Sequence, residues 1–331
     1  MPVLPLLPGV LFALAAGLMW GLVFVGPLML PEYPAALQSF GRYLAFGIIA
    51  LPLAWLDRHR LRDLRRSDWL EAVKLAVVGN IAYYLFLSSA IQRAGGPLPT
   101  MIIGTLPVVI AITAKLQGTV PGRRAETALR WRQLGPSLVL IGVGIGLVNH
   151  AEIDQMGLVQ PAQLRRYALG ALWAVGAVAC WTWYPLRNAR WLRAHPDRSP
   201  RGWATAQGLA TLPLALAGYA GTWLWWSLSD DPFPMPWGPR PGAFVGLMFA
   251  IGLLASWLGT LCWNEASQRL PPALAGQLIV FETLSALAYA FMLRQHMPRT
   301  ETLLGIGLLV LGVGWAVRAH PPPAAAGDLR Q

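Results

Sequence analysis

The chain has 331 residues, 55% of them hydrophobic and 12% charged, with a formal net charge of +11. Soluble domains carry about 25% charged residues, so the composition excludes an ordinary globular domain and places the chain in the membrane class. The apolar runs are continuous rather than alternating, which excludes a transmembrane β-barrel and leaves an all-α membrane protein, because lipid offers the backbone no hydrogen-bond partners.

A helix needs about 20 apolar residues to cross a bilayer. In chain order, ten runs read as spans: roughly 9–29, 35–56, 70–91, 97–118, 133–149, 167–187, 203–225, 242–266, 272–293 and 301–318. The first has no basic segment before it and no small-residue cleavage site after it, so it reads as a retained helix rather than a signal peptide. The second contains Arg42, which could recognise a carboxylate, pair with an acid or snorkel to the outer interface. The third carries Asn80, Tyr84, Leu87 and Ser88 at helical spacing on one face. Gly142 and Gly146 form a GxxxG pair in the fifth span, and Gly305, Gly307, Gly312 and Gly314 recur in the tenth. Such stripes serve close helix packing or a dimer face.

The eighth span presents Ser256, Thr260, Trp263 and Asn264 on one face, with Glu265 near its end as an interfacial acid. Facing polar stripes on the third and eighth spans suit a cavity; they equally suit helix-to-helix hydrogen bonds with no ligand. The ninth span holds Glu282 deep inside. A charge at the bilayer centre costs roughly 2.5–3.5 kcal/mol on insertion scales, so Glu282 reads as protonated, hydrogen-bonded or paired. It serves amine recognition, proton coupling, or merely the attachment of one helix to another.

Of sixteen Trp residues, Trp55, Trp69, Trp131, Trp191, Trp203, Trp223, Trp225, Trp226, Trp237 and Trp315 fall near span ends or in loops, where an interfacial belt is expected. Trp20, Trp173, Trp181, Trp183, Trp257 and Trp263 lie deeper. Trp20 and Trp181 are expected as cavity walls. The two cysteines, Cys180 and Cys262, give no disulfide framework, and the five histidines (His59, His150, His195, His296 and His320) sit in loops or at span ends without metal-ligand spacing. No cofactor, no metal and no catalytic constellation is expected.

With the N-terminus in the cytoplasm, nineteen Lys and Arg fall on the cytoplasmic side and six on the other. That asymmetry is the positive-inside rule. It puts both termini in the cytoplasm and makes a nucleic-acid partner unnecessary. Arg outnumbers Lys 24 to 2, a hint of a GC-rich bacterial genome and thus of a bacterial inner membrane.

The chain also resembles itself. At an offset of 176 residues, Gln92-Arg93 falls on Gln268-Arg269, Ala90 on Ala266, Asn80 on Ser256 and Tyr84 on Thr260. At 170, Leu138–Gly146 falls on Leu308–Ala316, and at 161 Trp20 falls on Trp181. The expected units are 1–149 and 167–318, joined by an external linker at 150–166 and followed by a disordered cytoplasmic tail at 319–331. Five spans per unit is an odd number, so the second copy runs inverted. Inverted repeats are the build of secondary transporters, with the site near the midplane where the copies meet. The tight links after the third and eighth spans are GGPLP and QRLPP, where Pro opens the next helix.

Five phrases carry a family resemblance: WGLVFVGP from Trp20, QSFGRYLAFG from Gln38, GTLPVVIAI from Gly104, FETLSALAY from Phe281 and GIGLLVLGVGW from Gly305. In this order they resemble the EamA-like branch of the drug/metabolite transporter superfamily. The resemblance implies ten helices in an inverted repeat, export of amino acids or other small metabolites, and a cavity lined by helices 1, 3, 4, 6, 8 and 9. Thr283 stands where the family often has Pro after Glu, and KLQGTVPGRR and MLRQHMPRTE lack the family's acid near the ends of helices 4 and 9. The aromatic-rich interior resembles YddG-type amino-acid exporters within that superfamily. The expected activity is export of amino acids, including aromatic and apolar ones, by alternating access in a monomer or homodimer. The rival readings are a proton-coupled drug or cation antiporter using Glu282, and a lipid or lipid-carrier flippase with a lateral opening.

Overall fold

Prolines and glycines set where the helices of this protein start, bend and stop. A computed structural model describes residues 6–117, 131–156, 160–230, 233–270, 278–295 and 297–318. Among them every regular element is helical and none is a strand. Helix α1 (Leu7–Met29) tightens to a 3₁₀ turn at Leu22–Phe24, just before Pro27, which has no N–H to donate to the preceding turn. Helix α2 (Ala35–Leu56) starts after Pro34. Helix α3 (Arg66–Ala94) opens with the Arg65 N–H donating to Asp68 Oδ2 at 2.8 Å and stops at Gly95, φ 75°. Helix α4 consists of Pro97–Ile103 and Leu106–Gln117, broken at Gly104-Thr105 ahead of Pro107.

Helices α5 (Trp131–Met156), α6 (Pro161–Ala194) and α7 (Pro200–Ser227) come next, and the Ser199 side chain caps α7 by accepting from the Gly202 N–H. Helix α8 runs Pro241–Arg269, α9 Val280–Arg294 and α10 Thr300–Arg318. Pro leads α6, α7 and α8, the position where its missing N–H costs nothing. Among the described residues, five helices, α1, α2, α3, α6 and α8, are long and apolar enough to cross a membrane. In each, 44–50% of the most apolar window is buried, so the rest turns apolar side chains outward. Exposed Leu11, Leu51, Leu172 and Leu311 belong to that outer surface, which suits lipid.

The helices outlast the apolar runs that mark them. Helix α6 continues through Arg187, Arg190 and Arg193 to Ala194, since straight-chain residues favour helix whatever their charge. For the same reason the expected linker at 150–166 is mostly helix: α5 extends to Met156 and α6 begins at Pro161. The tail at 319–331 and Pro271–Gly276 of the QRLPP link lie outside the described residues.

Packing joins α5 to α10, α2 to α7, α3 to α6, and α1 to both α8 and α9. Small residues permit the close crossings. Gly144 lies against the Gly305 carbonyl, and Gly47 of α2 lies against Leu212 of α7. Gly142, Gly146, Gly307 and Gly314 have nothing within 4 Å of where a Cβ would stand. The expected GxxxG pair therefore points away from α10, and the packing face is Gly144, Gly305 and Gly312, because the contact runs two residues out of phase with the motif.

Helices α3 and α8 share an irregularity. Each contains a seven-residue π-helical stretch, Ala76–Ala82 and Gly252–Leu258. The two stretches are 176 residues apart, the offset at which the sequence matches itself. A π-stretch fits extra residues into the turn and rotates the remainder of the helix about its axis.

Two of the expected belt tryptophans are core residues. Trp191 and Trp203 are buried and stack at 3.5 Å, interplanar angle 9°. Their indole N–H groups have acceptors, Asp68 Oδ1 and Asn188 Oδ1, and this makes burial cheap. Trp55, Trp223, Trp225, Trp237 and Trp315 are exposed, as a belt requires.

Candidate functional site

Six helices converge on a central cavity. Its walls are Trp20 and Val23 of α1, Arg42 and Tyr43 of α2, Asn80 and Tyr83 of α3, Trp181 of α6, Ala255, Ser256 and Thr260 of α8, and Glu282 of α9. It offers about 10 Å³ of space for solvent, the scale of a single water. An amino acid does not fit without movement of the walls.

Aromatic rings form most of the surface. Trp181 is sandwiched between Tyr83, centroids 4.5 Å apart at 19°, and Tyr184, 5.0 Å apart at 4°. Trp20 meets Trp181 edge-on at 5.0 Å and leans on Trp263 at 5.1 Å. The Trp20 indole N–H donates to the Ala255 carbonyl at 3.0 Å. This carbonyl lies in the π-stretch of α8, so the stretch and the ring hold each other.

The two ionisable walls are held differently. Glu282 is wholly buried in the first turn of α9, where the helix dipole favours negative charge. It accepts from the Trp181 Nε1–H at 3.2 Å and the Tyr83 hydroxyl at 3.4 Å. Arg42 is 4% exposed; it does not snorkel. Its Nε–H donates to Ser256 Oγ at 2.9 Å, and its guanidinium carbon lies 4.8 Å from the Tyr43 ring centre and 4.5 Å from that of Tyr84. Its Nη1 is buried with no hydrogen-bond partner. Among the described residues no carboxylate lies within 4.0 Å of Arg42.

Of the residues singled out from sequence, Trp20, Arg42, Asn80, Trp181, Ser256, Thr260 and Glu282 stand together on this cavity. Tyr84, Ser88, Trp263 and Asn264 do not line it. Tyr84 packs behind Arg42, Trp263 behind Trp20, and Ser88 donates to the Tyr84 carbonyl one turn back. Asn264 belongs to a polar cluster nearer the Arg-rich end. There the Asn188 amide donates to Asn264 Oδ1 at 2.8 Å, while Asn188 Oδ1 accepts from Trp203 at 2.8 Å and Gln207 at 3.3 Å. The Tyr184 hydroxyl donates to Gln207 Oε1 at 2.8 Å, which ties this cluster to the ring stack beside the cavity.

Tyr43 and Tyr83 are wall residues that sequence reasoning missed. Regular helical spacing pairs Asn80 with Tyr84, four residues on. Position i+3 lies on that face as well, and it is Tyr83 that shares the cavity with Asn80. The only sequence signal was the adjacency of the two tyrosines.

Contacts also tie the helices at their ends. At the Arg-rich end, Arg187 Nη2 donates to Glu71 Oε2 at 2.9 Å and Arg201 Nε to Asp57 Oδ2 at 2.8 Å. At the other, Arg240 Nε donates to Glu32 Oε1 at 2.6 Å and the Tyr33 hydroxyl to the Trp237 carbonyl at 2.9 Å. The Arg240 hydrogen bond holds the Glu32 carboxyl below its ordinary value of 4.5.

Residues 7–124 match the EamA-like transporter family. The inner membrane protein YtfF of Escherichia coli (strain K12) is 55% identical over 316 residues, spanning 96% of this chain and 97% of that protein. The chain belongs to the EamA-like transporter family. A solved crystal structure superposes with a TM-score of 0.61 at 17% identity, covering 93% of this chain and 96% of that one, a likeness of fold alone. Membership makes the chain a membrane transporter of the drug/metabolite type. In this family member the matched segment contains α1 to α4, and with them Trp20, Arg42, Asn80 and Tyr83 of the cavity wall.

Proposed function

We propose that the protein exports small metabolites, above all amino acids and among them aromatic and apolar ones, across a bacterial inner membrane by alternating access. The working unit is two inverted five-helix repeats, 1–149 and 167–318, with both termini cytoplasmic. Several observations support the repeat. The π-stretches recur at the sequence offset, the repeat mates Trp20 and Trp181 touch at 5.0 Å, and the pairing of α3 with α6 is matched by that of α8 with α1.

The observation that carries the substrate reading is the cavity itself, which pairs one guanidinium and one carboxyl with a wall of stacked rings. A zwitterion of zero net charge suits such a wall. A polyanion such as a nucleotide sugar does not, since Glu282 faces the same space. With room for about one water, this conformation is closed around the site, and loading requires the repeats to rock apart. The test is exchange in proteoliposomes with a panel of labelled amino acids. Countertransport of apolar members is expected, and no movement of any of them refutes the substrate assignment.

A second reading rests on Glu282, buried with no cation within 4.0 Å among the described residues. An antiporter would load and release a proton there. Glu282→Gln decides it: a flattened pH profile of transport supports coupling, and an unchanged profile removes it.

A further inference from the structure

We infer that Arg42 is the residue that grips the carboxylate of the substrate, with Nη1 as the donor that ligand binding satisfies. This rests on the central cavity being the transport site. A guanidinium has five N–H donors in a planar fork and stays protonated at any physiological pH. Here one donor is spent on Ser256 Oγ, and the guanidinium carbon sits 4.8 Å and 4.5 Å from the ring centres of Tyr43 and Tyr84, which stand at 88° to each other. The rings and the serine hold the guanidinium in place. Its Nη1 is left buried and unpartnered, on a side chain that lines the cavity.

Burying a charge without a counter-charge costs several kcal/mol, and removing water from it without replacing the hydrogen bonds costs more. The carboxyl in the same cavity does not fully discharge this cost: Glu282 attracts the Arg42 charge through space, but its oxygens accept from Trp181 and Tyr83 and it makes no ion pair with Arg42. A planar acceptor entering the cavity does. Carboxylates match the guanidinium fork bidentately. Phosphate matches it as well, but a dianion would face Glu282, whereas an amino acid brings an ammonium for that acid and for the rings of Tyr83 and Trp181. The arrangement thus gives the cavity a direction: carboxylate toward α2 and α8, ammonium toward α9, side chain along the Trp20–Trp181 wall.

Ligand pairs that differ in one group test this. Full-length protein in lipid nanodiscs would be titrated with L-phenylalanine, L-phenylalaninamide and 3-phenylpropionate, and with the corresponding leucine series, reading intrinsic Trp fluorescence. Charged hydrogen bonds of this kind are worth enough for at least a tenfold preference. Wild type is expected to bind the free acids at least tenfold tighter than the amides. In Arg42→Gln the acid-to-amide ratio falls to about one while amide affinity stays within about twofold; Arg42→Lys keeps an intermediate ratio. Ser256→Ala, which frees the fork without removing its charge, lowers the ratio less than Arg42→Gln. A wild-type ratio near one, a tenfold ratio that survives Arg42→Gln, or no binding by any acid overturns the assignment. If Arg42→Gln fails to fold, the wild-type ratio together with the Lys and Ala variants still decides. Binding of 3-phenylpropionate but not phenylalanine, lost in Arg42→Gln, leaves Arg42 as the carboxylate anchor and refutes amino acids as the substrates.

Discussion

Gly79→Ala asks whether the π-stretch of α3 is packed as tightly as its contacts indicate. Gly79 presses against Tyr184, and a methyl group there would overlap the Cβ, Cγ and Cδ2 atoms of that ring. The ring has no room to retreat. Tyr184 is 1% exposed, stacked on Trp181 and hydrogen-bonded to Gln207. Overpacking of this kind costs typically 1–3 kcal/mol, and it outweighs the roughly 0.8–1 kcal/mol that Ala gains over Gly in a helix. Gly142→Ala is the matched control, since nothing lies within 4 Å of that position; only the helix propensity gain remains. The assay is thermal unfolding of the purified protein in one fixed lipid mixture. Gly79→Ala should lower the midpoint by a few degrees, at about 2–4 °C per kcal/mol for chains of 150–250 residues, and Gly142→Ala should leave it level or raise it slightly. Equal shifts in both variants would refute the packing account of α3 against α6.

Asn188→Leu strands the Trp203 and Gln207 donors and the Asn264 acceptor at once. At about 0.6–1 kcal/mol for each bond in a membrane interior, a loss of roughly 2–3 kcal/mol is expected by the same unfolding assay; Asn264→Leu added to it should cost less than it does alone. Glu32→Gln removes the partner of Arg240 at the opposite end. The folded value of Glu32 is depressed below 4.5, so the stabilisation is present above pH 4.5 and is lost as the pH falls through the folded value. The wild-type advantage over Glu32→Gln should vanish in that range and shrink in high salt.

Much of the helical architecture is visible in the residue order, because membrane helices are written as long apolar runs, and self-matches recur at a few offsets. A further phrase fits the pattern: LPLA occurs at Leu51–Ala54 and again at Leu212–Ala215, 161 residues apart, the offset that relates Trp20 to Trp181. Helix-facing direction is less legible. Regular spacing nominated Tyr84, and it is the neighbouring Tyr83 that faces the cavity. A GxxxG pattern nominated Gly142 and Gly146, and the crossing used Gly144. In both cases the error is a rotation of the helix about its axis. Rotation is set by local backbone geometry and by the shape of the neighbour, neither of which a periodicity encodes. The same limit placed Trp191 and Trp203 in the interfacial belt, since nothing in their positions announces the acceptors Asp68 and Asn188 that let them go inside.

The π-stretches recur at the 176-residue offset, but the groups that can recognise a solute do not. At the 176-residue offset the mate of Glu282 is Leu106, a buried core residue, so the cavity holds an acid from one half only. The mate of Tyr83 is Gly259. Tyr83 stacks on Trp181 and donates to Glu282, whereas Gly259 lets Trp20 approach so closely that a Cβ there would lie 2.8 Å from the indole nitrogen. A tyrosine in that place would fill the space Trp20 occupies. Under the proposed alternating access, the backbones of the two halves would need to be interchangeable, and the matching π-stretches suit that need. Recognition of an asymmetric solute needs the opposite, a carboxylate end and an ammonium end that differ. On that proposal, differences confined to side chains, Leu for Glu and Gly for Tyr, meet both demands without disturbing the helices that would move.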